Sequence, residues 1–139
     1  MTPRFVDTNV LLYRFADEHG PDAAKRTVAS QIIDGDFSIS VQVLQEFYWQ
    51  ATHPRGGTRL DETDASAVVR NLAEQPVQEL TPELVVAAIA TSQRFRISYW
   101  DAAIIEAARE LGCSTVLSED LNHGQDYGGV RVENPFRGL

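Results

Sequence analysis

An α/β domain built on a parallel sheet is what this sequence predicts, and three observations predict it. Short apolar segments alternate with amphipathic stretches of about ten to fifteen residues, the rhythm of strands joined by crossover helices. The chain has 139 residues, and at roughly 100–200 residues per domain that amounts to one domain spanning 1–139. Hydrophobic residues make up 43% and charged residues 23%, which supplies a core and argues against disorder. No internal repeat, low-complexity tract or linker interrupts the pattern.

The elements follow in order. Residues 4–6 form a short strand that ends abruptly at Asp7-Thr8-Asn9. These are helix-capping residue types, and a helical pattern begins at Val10, Leu11, Tyr13 and Arg14. Gly20-Pro21 punctuates the chain, and a helix runs from there to about residue 33 with Ala24, Val28 and Ile32 on one face. Asp34-Gly35-Asp36 is a turn, and a second strand is expected over 37–39. Ser40 caps a helix over about 41–51, striped by Val43, Leu44, Phe47 and Tyr48, and His53-Pro54-Arg55-Gly56-Gly57 breaks it.

Ala65, Val68, Val69, Leu72 and Ala73 repeat at helical spacing and Pro76 ends that helix. A third short strand is expected over 77–80. Thr81-Pro82-Glu83 supplies a cap, a proline at the first helical position and an acid in the first turn of a helix reaching about residue 95. Another helix spans 100–111 and closes on Gly112. Residues 115–117 form a β-branched strand, a polar loop runs to Gly129, and 130–132 form a last edge strand.

Twelve Lys and Arg against twenty Asp and Glu give a formal net charge of −8. Nucleic-acid affinity rests largely on phosphate neutralisation, so this balance disfavours a passive nucleic-acid binder. It does not disfavour an enzyme whose acids gather around metal ions. Lys25 is the only lysine, the other basic residues being arginines. Cys113 is the only cysteine, which excludes an internal disulfide and suits a reducing compartment. The longest apolar run, 84–90, is far short of the ~18 residues of a membrane span. The amino terminus lacks a signal peptide's apolar stretch, so a soluble, cytoplasmic protein is expected.

In an open α/β sheet, ligands gather at the carboxyl ends of the strands. Asp7 and Asp120 each follow a predicted strand; Glu46 and Asp101 lie within largely apolar helices. Carboxylates with so much apolar surface around them need a partner, because an unpaired buried charge is costly. A shared divalent cation supplies one. Four carboxylates make a hard-oxygen site of the kind preferred by Mg²⁺ or Mn²⁺ over zinc, and His19, His53 and His123 are scattered without ligand spacing. Taken singly, each acid also has an ordinary explanation. Asp7-Thr8-Asn9 could be a turn and cap, Glu46 a half-exposed helix position, Asp101 a cap or first-turn acid, and Glu119-Asp120 a turn. Tyr99 and Trp100 read as core or rim residues rather than base-stacking platforms.

Together the signals are specific. Phe5-Val6-Asp7-Thr8-Asn9-Val10-Leu11-Leu12-Tyr13 closely resembles the opening of a PIN domain. Glu46 follows Asp7 after 39 positions, Asp101 after a further 55 and Asp120 after 19 more. Ser98-Tyr99-Trp100-Asp101-Ala102-Ala103 and Leu117-Ser118-Glu119-Asp120-Leu121 are similar to that family's third and fourth acidic motifs. The resemblance spans nearly the whole chain and is strongest to VapC-type toxins, the ribonuclease half of a bacterial toxin–antitoxin pair.

The resemblance implies a parallel sheet of about five strands flanked by helices. It implies that Asp7, Glu46, Asp101 and Asp120 bind Mg²⁺ or Mn²⁺ and carry the catalysis, with Thr8, Asn9 and Ser118 as supporting polar residues. The implied activity is metal-dependent endoribonucleolytic cleavage of a structured RNA, commonly a transfer RNA or a ribosomal RNA loop. The implied assembly is a homodimer held inactive by a VapB-type antitoxin whose carboxyl-terminal arm lies across the active-site groove. Glu119 adjoins Asp120, and spacing alone does not say which faces the metal; the family pattern favours Asp120. Glu106 lies about 140° round the helix from Asp101 and is expected to face elsewhere.

Setting aside four site acids from −8 still leaves −4. Any RNA path must therefore use clustered basic residues, for which Arg14, Arg55, Arg59, Arg94, Arg96 and Lys25-Arg26 are the candidates, and generic RNA binding should be weak and salt-sensitive. Three rivals stand beside this reading. A haloacid-dehalogenase-like Mg²⁺ phosphatase wants a second acid where Asn9 stands, and a late lysine. A response-regulator receiver needs a mid-chain phospho-acceptor and a lysine near the end. A catalytically silent PIN-fold binding module would have no use for four intact acids.

Overall fold

The computed structural model describes residues 3–53 and 60–139. The elements run β1 (Arg4–Val6), α1 (Thr8–Tyr13), α2 (Ala23–Ile33), β2 (Ile39–Ser40), α3 (Val41–Thr52), α4 (Glu62–Leu72), β3 (Val77–Gln78), α5 (Pro82–Phe95), α6 (Tyr99–Glu110), β4 (Thr115–Leu117) and β5 (Arg131–Glu133). All strand pairs are parallel, as alternating strands and helices demand.

The sheet differs from the expectation of about five strands in one body. Its regular part has three, in the order β1-β4-β5, and β2 pairs with β3 in a separate two-stranded piece. The two pieces touch at one parallel bridge between Phe5 and Ser38, where Val6 N donates to Ser38 O and Ser38 N to Arg4 O. The physical reason is length: β2 and β3 are two residues each, so the ladder thins to a single bridge where β1 meets them. The second strand begins at Ile39 rather than residue 37, and the third stops at Gln78 because Glu79 and Leu80 are exposed.

The capping chemistry places the helices. Ser40, Asp61, Thr81 and Ser98 each accept a hydrogen bond from the backbone N–H three residues on, opening α3, α4, α5 and α6. Gly112 follows α6 at φ 77°, the left-handed conformation that a helix stop uses. Phe5, Val6, Val116, Leu117 and Val132 from the strands meet Val10, Leu11, Val43, Phe47 and Ile105 from the helices in one core. Phe136, beyond the last strand, is buried against it. Helix α1 packs on α2 and α3, α3 on α4, and α5 along α6, which also touches β2, β3 and β4.

Three expected core positions sit at the surface instead, among them Ala73, which lies past the last turn of α4 as its C-cap. Ala24 is exposed, Ala29 taking the buried place on α2, and Tyr48 lies at the outer edge of the α3 stripe, where Ala51 is buried. Among the described residues no helix is long and apolar enough to cross a membrane. The loop read at 53–57 falls, apart from His53, outside the described residues.

Candidate active site

Asp7 leaves β1 at its carboxyl end and caps α1, its Oδ1 accepting from Thr8 N at 2.7 Å. Neighbouring β4 ends in register with β1, Leu117 opposite Val6, so the turn Ser118-Glu119-Asp120 emerges beside Asp7. Ser118 Oγ, fully buried, donates to Asp7 Oδ2 at 2.8 Å and accepts from Asp120 N at 3.1 Å. The Asn9 amide closes the link: its Nδ2 lies 3.3 Å from Asp7 Oδ2 and 3.1 Å from both Ser118 Oγ and Asp120 Oδ2. Its Oδ1 accepts from Glu119 N at 3.2 Å. Asn9 thus holds the first acid and the last in one frame across 111 residues of sequence.

The other two acids come from helices. Glu46 stands on α3 beside the buried Val43–Phe47 face and accepts from Gln42 Nε2 at 2.8 Å; the same Gln42 nitrogen lies 3.3 Å from Trp100 O on α6. Asp101 is in the first turn of α6, its backbone N–H donating to the Ser98 hydroxyl at 3.1 Å. It is therefore a first-turn acid and Ser98 is the cap.

These carboxylates act on one another. Asp7, only 7% exposed, has its pKa pushed up from 3.8 to about 6 by burial, with the Glu46 and Asp120 charges adding to the rise and the Ser118 and Thr8 hydrogen bonds opposing it. Burial also raises the Glu46 carboxyl, against the Gln42 bond and with Asp101 and Asp120 pushing the same way. Asp101 is raised by burial and then by Asp120, Ser98 opposing. Repulsion of this kind acts only between near neighbours, so Asp7, Glu46, Asp101 and Asp120 lie in one neighbourhood by the carboxyl ends of β1 and β4.

Asp120 and Glu119 separate cleanly. Glu119 turns away, its Oε2 2.9 Å from Lys25 Nζ and its Oε1 taking the Tyr13 hydroxyl proton. Lys25 is thereby committed to a carboxylate and is withdrawn from the basic residues expected to guide RNA. Of the other candidates, Arg26 donates to Ala16 O, and Arg14 and Arg94 lie over the rings of Phe15 and Phe95. Arg96 is exposed, and Arg55 and Arg59 lie outside the described residues. Glu106 faces away as expected and is tied to Arg109 and Thr91. Sequence reading passed over Gln42, although its four-residue spacing from Glu46 on a helix is the signal that finds it.

The donor set suits a hard divalent cation: all oxygen, three carboxyls raised by burial and mutual repulsion, and no ion pair to any of the four acids among the described residues. Thr8 Oγ1, beside Asp7 in sequence, is buried with no hydrogen-bond partner. Among the described residues no group of three or more His, Cys, Asp or Glu side chains is gathered closely enough to hold a metal ion. The arrangement is a framed group of carboxylates with the Asn9 amide lying between the outer two.

No curated protein matches this sequence. Solved structures do match in fold. A toxin–antitoxin complex from Klebsiella pneumoniae superposes with a TM-score of 0.67, at 16% identity over 97% of this chain and 98% of that one. VapC20 of Mycobacterium tuberculosis, a toxin that cleaves the sarcin–ricin loop, superposes with a TM-score of 0.64, at 20% identity over 84% of this chain and 91% of that one. The family model for the PIN domain matches residues 4–125, and with the sheet and the acid-bearing edge described above, the chain belongs to the PIN domain family.

Proposed function

We propose that this protein is a Mg²⁺- or Mn²⁺-dependent endoribonuclease, the toxin of a VapBC-type pair, cutting a structured RNA such as a transfer RNA or a ribosomal RNA loop. What supports the reading is the mutual charge coupling of Asp7, Glu46, Asp101 and Asp120, beside the Asn9–Ser118 frame that links Asp7 to Asp120, with no cation paired to them among the described residues. Family membership supports it, as does the likeness in fold to two toxin systems.

In this reading the four carboxylates hold the metal. When bound, the ion supplies an activated water and neutralises charge on the scissile phosphodiester. The chain's own residues do the rest. Asn9 and Ser118 fix the angle between Asp7 and Asp120, Gln42 fixes Glu46, and the Ser98 cap fixes the first turn of α6 that carries Asp101. The four acids would repel a phosphate backbone, so binding and cleavage are coupled to occupancy of the site. A VapB-type antitoxin is the partner that fits, and a homodimer the assembly. The domain spans 1–139, since β5 and Phe136 lie beyond the matched segment and share its core.

The test is cleavage of total cellular RNA by the purified protein with Mg²⁺ or Mn²⁺, beside a sample in excess EDTA. Discrete fragments that require the metal establish the nuclease, and their ends identify the target. Intact RNA in every sample, with metal binding shown independently by calorimetry, overturns the reading.

A further inference from the structure

The chain has two tryptophans, Trp49 and Trp100. Both are exposed, at 61% and 66%, and both line the same surface groove, about 710 Å³ in volume. A large exposed aromatic is expensive to leave in water, and two in one groove mark a binding surface. Each is tied to a site acid. Trp49 lies three residues after Glu46 on α3, and so on an adjacent part of the helix surface, while Trp100 immediately precedes Asp101 on α6. Glu46 itself lines the groove, and Gln42, on its wall, bonds both Glu46 and the Trp100 carbonyl. The groove is thus continuous with the acid cluster.

We propose that this groove is a nucleobase subsite, in which an unpaired base of the RNA substrate stacks on Trp49 or Trp100 next to the scissile phosphodiester. The inference rests on the RNA-cleaving reading above and deepens it. The lining selects the occupant. Among the described residues this lining contains no lysine or arginine, and Glu46, its one charge there, repels phosphate. Gln42, Gln45 and Gln50 bring side-chain amides, which donate and accept and so match the mixed donor and acceptor edges of a base. One side of Trp49 is covered by the stacked His53 ring, which stiffens the indole as a platform. The Tyr99 ring meets Trp100 edge-on and does the same there. For a chain with a net charge of −8, the uncharged face of a base is the part of RNA that it can hold without local cations. Bases paired in a duplex offer no such face, so the subsite selects unpaired nucleotides.

Because the chain has no other tryptophan, tryptophan emission, excited selectively at the red edge where the four tyrosines do not absorb, reports on this groove alone. The probe is a decamer of oligoadenylate titrated with Ca²⁺ in place of Mg²⁺ or Mn²⁺, so that the acids are neutralised while a gel checks that the strand stays intact, against the same decamer annealed to oligouridylate. The single strand is expected to quench tryptophan emission and the duplex to leave it nearly unchanged. Trp100→Ala and Trp49→Ala should each weaken binding about tenfold, within the range of one base–aromatic stack, with Phe at the same position restoring most of it. Circular dichroism checks that the variants fold, as substitutions this exposed should allow.

Three results overturn the proposal: unchanged emission while anisotropy of a labelled decamer shows binding; no binding by either method; or an emission shift that follows protein concentration without RNA, which assigns the groove to a second copy of the chain. The nuclease reading stands or falls separately, by cleavage of total RNA. Cleavage without quenching removes only the subsite, and quenching without cleavage removes only the nuclease.

Discussion

Five carboxylates lie buried or half-buried around this sheet's carboxyl edge and along α6, a sixth, Asp120, is exposed at the rim, and the six divide into two kinds. Glu106 and Glu119 have cations: Arg109 at 3.1 Å and Lys25 at 2.9 Å. Each pair is extended by further bonds, since Arg109 also donates to the carbonyls of Tyr127 and Gly128 at 2.6 Å, and Lys25 reaches the Tyr13 hydroxyl at 3.2 Å. Among the described residues Asp7, Glu46 and Asp120 are held only by neutral donors, which orient a carboxylate without neutralising it, and Asp101 has no cation beside it, its backbone N–H donating to the Ser98 hydroxyl. A fold under selection for stability alone would pair or remove charges like these, because uncompensated burial is costly. The paired acids fit a scaffold role, and the unpaired ones fit the metal-binding role proposed above.

The largest expected effect tests the unpaired group. Asp7→Asn or Asp101→Asn should lower RNA cleavage by about a thousandfold or more, since a metal's stabilisation of charge at the reacting centre is worth several kcal/mol. In EDTA the same variants should melt no lower than the native protein, because each removes one of a set of repelling charges. Thermal melts beside the cleavage assay check both. Loss of metal-free stability in both variants would make these acids structural.

Next in size is a dependence on pH. The Asp7 carboxyl is raised from 3.8 to about 6 in the folded protein. The folded state therefore holds its proton more tightly than the unfolded chain, and stability falls as pH rises through that window. A rise of about two units corresponds to about 3 kcal/mol at 1.36 kcal/mol per unit. Glu46 and Asp101, also raised, act in the same direction. Urea unfolding in EDTA at pH 4.5 and 7.5 should show native protein losing more stability on going to the higher pH than Asp7→Asn does. Parallel behaviour of the two would mean that Asp7 is not the burdened group.

The scaffold pair comes third. Arg109→Ala would leave Glu106, 8% exposed, facing only Thr91, and would strip two backbone carbonyls of a donor. Losing the cation of a mostly buried pair should cost about 2–3 kcal/mol in urea unfolding. Arg109 is itself about a third exposed, which holds the figure below that of a fully buried pair. Specific activity of the protein that remains folded should change little. A stability change below about 0.5 kcal/mol would erase the distinction between paired and unpaired acids.

How far this division could be read from the sequence depended on where each residue's partner lies. Asp7 was legible because a strand that stops at Asp-Thr-Asn announces a junction at the sheet edge. Glu46 and Asp101 were legible because an acid inside an apolar helical pattern is anomalous. The helix boundaries followed from local chemistry too: Thr81-Pro82 opens α5 where expected. What failed depended on contacts across the chain. Ile39–Ser40 and Val77–Gln78 pair for only two residues, so alternation could not reveal that the sheet thins there. An aromatic in a helical stripe looks the same whether it points into the core or stands at its rim, which is why the exposure of Tyr48 went unread and Trp100 was left as core or rim. Glu119 and Asp120 are neighbours in one turn, and only Lys25, 94 residues away, tells them apart.

That last distinction carries the smallest effect. The side chains of Lys25 and Glu119 are 28% and 21% exposed, so their pair is partly screened and worth at most about 1 kcal/mol. Glu119→Gln, Lys25→Met and the double variant should close a cycle with a coupling of roughly 0.5–1 kcal/mol in urea unfolding, the Tyr13 hydroxyl keeping its bond to the glutamine oxygen. Cleavage by Glu119→Gln should stay within a few-fold of native, while Asp120→Asn should lose far more. The Glu119 side chain faces the lysine, whereas Asp120 shares the Asn9 amide with Asp7. A hundredfold loss in Glu119→Gln with Asp120→Asn nearly unaffected would reverse the assignment. The metal would then have to draw Glu119 away from Lys25, and the pair would be a latch on the site rather than part of the scaffold.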